Sequence, residues 1–207
     1  GWIDYNIPQI YWEIGHPAAD YITLIQWWNK NATLEGPHLY IGQDVARSMK
    51  AGDLTRKMEI EHSLPHVKGH CFWPANEILW NNNGIADSLQ QNYHHYPALI
   101  PAYTHMYNHR PKKIGNLKAE KNAQGYTLRW KVKGERENPQ DAQYFVIYRF
   151  KRGEKIDLDD PSKIMAFTRY TECYLPMNAK DMKYRFVITS VDRFHNESKG
   201  KKITLKH

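Results

Sequence analysis

Between Tyr5 and Tyr96 three apolar, β-type runs alternate with three stretches of helical periodicity. The centres of the runs lie about thirty residues apart, the size of a βαβ unit. The runs are "YNIPQIYWE" (5–13), "HLYIGQD" (38–44) and "VKGHCFWP" (67–74). The helical stretches are "PAADYITLIQWWNKN" (17–31), "DLTRKMEIEHSL" (53–64) and "GIADSLQQNYHHY" (84–96). In the first of these Tyr21, Leu24, Ile25 and Trp28 follow the i, i+3, i+4, i+7 stripe of a helix with one buried face. Asp53 is placed to cap the second. Helices between strands make the strands parallel and the crossovers right-handed. Three strands leave two open edges, and a parallel sheet needs both faces covered. The pattern therefore predicts part of a larger α/β domain.

The net charge of +7 is unevenly distributed. Residues 1–110 carry 7 Lys and Arg against 10 Asp and Glu, a net of −3, whereas residues 111–207 carry 22 against 12, a net of +10. A change in composition this sharp predicts two domains, 1–110 and 111–207, with the seam near the proline-rich "PALIPAYTHMYNHRPKK". The lysines of the second half are spread over many segments with no interleaved stacking set, so nucleic acid is not an expected partner. No apolar run approaches the ~20 residues of a membrane span, and the opening "GWIDYN" does not read as a signal peptide. The distant Cys71 and Cys173 form no metal-ligand or disulfide pattern. Cys71, in an apolar strand, reads as a small core residue. No Gly-rich phosphate loop occurs, and the scattered histidines do not read as a ligand pair on one helix or strand, so neither a cofactor nor a metal is expected.

The residues after each predicted strand are the informative ones, because loops at the C-terminal strand ends converge on one face in (β/α) barrels. Tyr11, Trp12, Glu13 and His16 end the first run; Gln43, Asp44 and Arg47 end the second; Trp73, Asn76, Glu77 and Trp80 follow the third. Each loop brings a carboxylate and two bring indoles. An indole face stacks on the C–H groups of a sugar while amides and carboxylates bond its hydroxyls. Glycoside hydrolysis in most families needs two carboxyl groups across the scissile bond, and an acid desolvated by a neighbouring Trp suits general-acid work. Glu13, Glu77 and Asp44 are the catalytic candidates. Tyr11, Trp12, His16, Gln43, Trp73, Asn76 and Trp80 are the substrate-binding candidates. Structural roles compete. Trp12 and Trp73 can plug a barrel top, Glu13 can cap a backbone N–H, and Glu77 can be the favourable acid of a helical first turn. "WNNNG" (80–84) is first a turn, since Asn and Gly tolerate left-handed backbone. His94 and His95 are expected to face solvent.

"IDYNIPQIYWEIGHPAADYITLIQWW" (3–28), "HLYIGQ" (38–43), "GHCFWPANEILWNNNGIADSL" (69–89) and "NYHHYPALIP" (92–101) together resemble the C-terminal part of bacterial family-10-like glycosyl hydrolases. The resemblance covers about residues 1–104. It implies a (β/α)8 TIM barrel of which this chain holds the last three βα units, a carbohydrate substrate and an extracytoplasmic location. It supplies no catalytic pair, so the site candidates rest on their position at the strand ends.

Residues 111–207 read as seven short strands: 114–123, 125–133, 142–150, 163–170, 173–176, 183–192 and 201–206. Seven strands in about a hundred residues is a β-sandwich pattern. "YFVIYR" and "YRFVITSVDRFHNES" resemble segments of a fibronectin type III domain. Trp130 is the expected buried indole, Tyr184 the expected tyrosine corner, and Tyr148, Tyr170 and Tyr174 are expected at the surface, where they could touch a sugar. The fold class expected is thus α/β plus all-β: a partial TIM barrel of three parallel βα units, then a fibronectin type III-like sandwich. Two function classes follow. One is a glycosidase fragment using paired carboxylates, inactive alone and prone to self-association through its open sheet edge. The other is a non-catalytic carbohydrate-binding or scaffold protein using the same cleft.

Overall fold

The computed structural model describes residues 2–33, 36–134, 137–176 and 184–205. The chain divides into two units, Gly1–His95 and Tyr96–His207.

The first unit holds a parallel sheet in the order β1-β2-β3, with β1 at Tyr5–Asn6, β2 at His38–Asp44 and β3 at Val67–Trp73. The predicted strand 5–13 is much shorter than expected. Pro8 has no N–H to give a ladder, and beyond Asn6 only Gln9 bridges to Gly42. The approach there is nevertheless close: a Cβ on Gly42 would lie 3.0 Å from the Pro8 carbonyl oxygen. Helix α1 is Tyr21–Asn31, entered through Asp20, whose carboxylate accepts the Thr23 N–H at 2.8 Å. Helix α3 is Leu54–Ser63 and α5 is Ile85–Asn92. Helix α2, Val45–Ala51, was not anticipated, while α4, Ala75–Leu79, is the short helical turn with Glu77 in its first turn that was the alternative reading there. Helix α2 starts on the Asp44 cap and stops at Gly52, whose φ of 72° suits glycine. The Asn-rich turn is as expected: Asn81 and Asn83 are left-handed, and Asn81 Oδ1 accepts the Ala86 N–H at 2.9 Å to start α5.

The two faces of this sheet differ. Leu39, Ile41 and Gln43 point to the helices, where Leu39 and Ile41 join Ile10, Tyr21 and Ile25 in a buried cluster. A second cluster joins Val45, Leu54, Met58, Ile85 and Leu89. With a period of two, Tyr40 and Asp44 lie on the opposite face. Tyr40 packs edge-on against Tyr5. Cys71 is exposed, not a core residue as its apolar strand suggested.

The second unit is a sandwich of two antiparallel sheets. One has the order β4-β5-β8 (Gly115–Asn122, Gly125–Lys131, Glu172–Pro176). The other has the order β10-β9-β6-β7 (Lys201–Thr204, Tyr184–Val191, Tyr144–Lys151, Ile164–Thr168). All seven expected strands form. Between the sheets Trp130 is buried, its ring 5.3 Å from Phe145 and nearly perpendicular to it. The ring of Tyr184 carries the Arg149 guanidinium at 4.9 Å, and among the described residues no hydrogen bond of a tyrosine corner is seen. Tyr148 is not at the surface: it is fully buried, and its hydroxyl donates to Glu197 at 2.7 Å, while Tyr170 and Tyr174 are exposed.

The division between units falls at His95/Tyr96, ahead of the compositional seam at 110. Residues of the proline-rich segment bond to the sandwich. The Tyr103 N–H donates to the Phe194 carbonyl at 2.8 Å, and Asn196 Nδ2 donates to the Tyr107 carbonyl at 2.9 Å.

Candidate functional site

Parallel pairing brings the C-terminal ends of the strands side by side, and in the register Asp44 lies opposite Trp73. The chain leaving β1 passes the same end. There an open cleft of about 570 Å³ is lined by Glu13, His16, Asp44, Arg47 and Lys50 with two alanines of α2. Two carboxylates, two cations and an imidazole thus face one space.

Each is held differently. Asp44 is committed to the fold: Oδ1 accepts the Arg47 N–H at 2.9 Å as the cap of α2, and Oδ2 lies 3.9 Å from Arg47 Nε. His16 Nδ1 accepts the N–H groups of Ala18 and Ala19 at 3.3 and 3.2 Å, which leaves Nε2 as the protonated nitrogen of the neutral ring. The Trp12 ring is 6.4 Å from it. The Glu13 carboxylate has no hydrogen bond or ion pair among the described residues, while its backbone is fixed on both sides. The Glu13 carbonyl accepts the His16 N–H at 3.3 Å, and the next N–H, of Ile14, donates to Asp53 Oδ2 at 2.9 Å. Asp53 therefore does not cap α3 with its side chain as expected; it ties the Glu13 loop to the start of that helix.

Behind Asp53 lies Lys57, 1% exposed, its Nζ 3.2 Å from Asp53 and 2.9 Å from Ser48 Oγ, over the Tyr21 ring. Burial pushes the Lys57 amine below its usual range; Asp53, then Glu13 and Asp44, pull it back up. Lys57 does not itself line the cleft, but both cleft carboxylates act on it. Tyr11, half-buried, has its hydroxyl raised by burial first and then by Cys71 and Asp44.

The other predicted residues separate into three groups. Trp73 and Trp80 are 59% and 71% exposed, free to present their faces to a ligand. Asn76 and Glu77 sit on α4, where the Asn76 carbonyl accepts the Trp80 N–H at 3.0 Å and Glu77 accepts Asn82 Nδ2 at 3.0 Å. Neither lines the cleft of Glu13. Gln43 is fully buried on the helix side, donating to Glu61 Oε1 at 2.5 Å and to Met58 Sδ at 3.7 Å. A side chain so placed does not reach a ligand in the cleft.

Glu61 is the centre of a network that sequence reading missed. Besides Gln43, it accepts the Tyr21 hydroxyl at 2.8 Å and lies 3.1 Å from His70 Nδ1. The signal was present: Leu54, Lys57, Met58 and Glu61 occupy one helical stripe, so two charges stand at core-facing positions. The buried Tyr21 and Gln43, the part-buried His70 and the acidic acceptor Glu61, on α1, β2, β3 and α3, hold the helices to the sheet.

No family model matches the chain. Over its whole length it is 33% identical, in an alignment of 218 positions, to the glycosyl hydrolase YngK of Bacillus subtilis (strain 168), and it spans 42% of that protein. Among solved structures it is similar to the Spr0440 glycoside hydrolase domain, Endo-D from Streptococcus pneumoniae R6, with TM-score 0.33, 20% identity, 46% of this chain and 15% of that one. It is also similar to FN3tt, with TM-score 0.31, 23% identity, 44% of this chain and 88% of that one. The chain is thus related along its full length to a curated glycosyl hydrolase while spanning about two-fifths of it.

Proposed function

We propose that this chain is the C-terminal part of a glycoside hydrolase, that its first unit is the last three βα units of a (β/α)8 barrel, and that Glu13 is one of two catalytic carboxyl groups. The observation that carries this reading is the cleft at the strand ends, where Glu13 is held by its backbone and has its carboxylate unengaged. The full-length likeness to a glycosyl hydrolase supports the reaction class. Trp73 and Trp80 supply stacking faces, and His16 and Arg47 supply donors for sugar hydroxyls. Asp44 positions α2 and tunes the field, and Glu77 is bonded to Asn82, so the second carboxyl group comes from strands outside this chain.

The test is hydrolysis of a glycan panel by the chain within a longer protein that supplies those strands. Glu13→Gln there is expected to cut kcat by at least about a hundredfold, the scale of general acid–base catalysis, with the melting temperature unchanged. Full activity in Glu13→Gln would remove Glu13 from the chemistry. The engagement of Asp44 and Glu77 favours a second reading, a glycan-binding wall without catalysis. In that case Trp80→Ala weakens glycan binding while Glu13→Gln changes nothing.

The sheet face bearing Cys71 and Trp73 is the one that further strands would cover. Alone, the chain is expected to self-associate through its open strands. Light scattering that shows a monomer at high concentration would rule this out.

A further inference from the structure

On the helix side of the sheet, away from the residues assigned to catalysis, His70 of β3 meets His94, two residues beyond α5. Their Nε2 atoms are 3.2 Å apart, their ring centroids 5.2 Å apart and their planes inclined by 62°. His70 Nδ1 is 3.1 Å from Glu61 Oε2, and Glu61 is 3% exposed. His94 is at the surface.

We propose that His70 and His94 form a two-imidazole clamp for a borderline divalent cation, Zn²⁺, Cu²⁺ or Ni²⁺, with Glu61 as the carboxylate that orients the inner ligand. Geometry is the first ground. Two nitrogens bound about 2.0–2.1 Å from one Zn²⁺ at the tetrahedral angle lie about 3.3 Å apart, and at the right angle of square-planar Cu²⁺ or octahedral Ni²⁺ about 2.9 Å. The observed separation falls between these values, so neither ring has to move far. The centroid separation agrees. Two rings meeting end to end through a linear N–H···N bond at this distance would have centroids about 5.5 Å apart; the shorter value shows that the rings are not collinear, as two ligands of one ion are not.

The second ground is the outer partner. A ligating His commonly donates its other N–H to a carboxylate, which fixes the tautomer and raises the basicity of the ligating nitrogen. Glu61 does this for His70. With the Nδ1 proton pointed at Glu61, the Nε2 lone pair of neutral His70 faces His94. Glu61 is itself held by Tyr21 and Gln43, so the inner ligand is built into the core and is not a chance surface imidazole. Phe72, with its ring 4.4 Å from His70 and 6.4 Å from His94, closes the apolar side.

Among the described residues no set of three or more His, Cys, Asp and Glu is placed to hold a metal, so the remaining positions fall to water or an external ligand. The cation would join β3 to the segment leaving α5 without a third protein ligand. His70 and His94 are 24 positions apart, so no motif spacing announces them.

The inference is independent of the proposed glycosidase reading, and its test uses no glycan. The full chain, stripped with a chelator, is titrated with ZnCl₂ by calorimetry and with CuCl₂ under EPR. One saturating equivalent is expected, with two-nitrogen coordination of Cu²⁺ and a melting temperature raised by the metal, since a ligand that binds only the folded state stabilises it. His94→Ala, at an exposed position, is expected to fold normally and to weaken that equivalent at least about tenfold, while Glu61→Gln weakens it by about the tenfold typical of an outer partner. His66→Ala is the control and keeps parental binding. Absence of a saturable equivalent, or parental binding in folded His94→Ala, would overturn the proposal and leave the pair as a hydrogen-bonded contact.

Discussion

The two units solve the problem of a sheet's second face in opposite ways. In the sandwich each sheet covers the other, and Trp130, Phe145, Ile147, Phe186 and Ile188 are buried between them. Among its buried polar groups, Asp192 accepts the N–H groups of Phe194 and Asn196 at 2.9 and 2.8 Å and closes the turn after β9, and the Tyr148 hydroxyl donates to Glu197. In the first unit the helices cover one face and the other keeps Cys71 and Trp73 exposed. Its buried polar groups, Lys57, Glu61 and Gln43, join separate helices and strands. The sandwich carries its stability in apolar packing that is complete. The first unit carries more of it in a charged network, beneath a face that the proposed barrel would complete.

The largest expected effect breaks this contrast on the sandwich side. Trp130→Ala should cost about 3–5 kcal/mol, the range for deleting a buried aromatic, and should lower the melting of the second unit while the first keeps its transition. Among the described residues the Trp130 Nε1–H has no acceptor. Trp130→Phe should therefore lose much less, because the unpaired donor leaves with the ring. Calorimetry that resolves the two transitions checks both. A Trp130→Ala protein that melts like the parent would refute the packing argument.

The same contrast explains what could be read in advance. The sandwich strands were legible because alternation with a period of two, punctuated by turns, is a local signal, and every strand formed where that signal lay. In the first unit β2, β3, α1 and α3 carry equally local signals. Helix α2 was missed because Asp44 serves both as the last strand residue and as a helix cap, with no loop between. Strand β1 was overread because Pro8 outweighs the β propensity of its neighbours. The strand-end rule did bring Glu13, His16 and Asp44 to one cleft, but it says nothing of which face a side chain takes, and so it placed the buried Gln43 among ligand-binding residues. The ties from Asp53 to Ile14 and from Glu61 to Tyr21 and His70 are long-range pairings, invisible to any window of sequence.

The next effect falls on the first unit. Lys57→Ala removes the partner of Asp53 and opens a hole under Tyr21, and breaking a buried pair in this way should cost about 3 kcal/mol. The double change Lys57→Met with Asp53→Asn replaces the ions by neutral groups of similar size and should cost less than Lys57→Ala alone. Denaturant unfolding of the three proteins measures the difference. A Lys57→Ala protein of parental stability would mean that the network is not what holds the helices, and the contrast between the units would lose its basis.

The smallest effect sharpens the contrast through alkaline pH. In the sandwich the Tyr148 hydroxyl is raised by burial and then by its bond to Glu197, and Tyr144 is pushed up to about 12 by burial and then by Glu197 and Asp192. An unfolded tyrosine ionises near 10. Above that pH the unfolded chain has released protons that the folded chain still holds, so the stability due to these two groups is full below about 10 and falls as pH rises. Each contributes a slope of at most about 1.4 kcal/mol per pH unit. In the first unit Tyr21 is likewise raised, by burial and then by Glu61, and Tyr11 by burial and then by Cys71 and Asp44, but Lys57 is lowered by burial. Between its lowered value and the ordinary lysine range, Lys57 has lost its proton in the folded state and kept it in the unfolded one. That term makes stability rise with pH and offsets Tyr21. The sandwich also holds the Cys173 thiol, raised by burial, so from about pH 9 to about pH 11 it should lose stability faster than the first unit, and Tyr148→Phe should remove about a third of its slope. Denaturant unfolding of each transition across that range provides the comparison. Equal slopes in the two units, or an unchanged slope in Tyr148→Phe, would show that the buried tyrosines do not govern the alkaline limb.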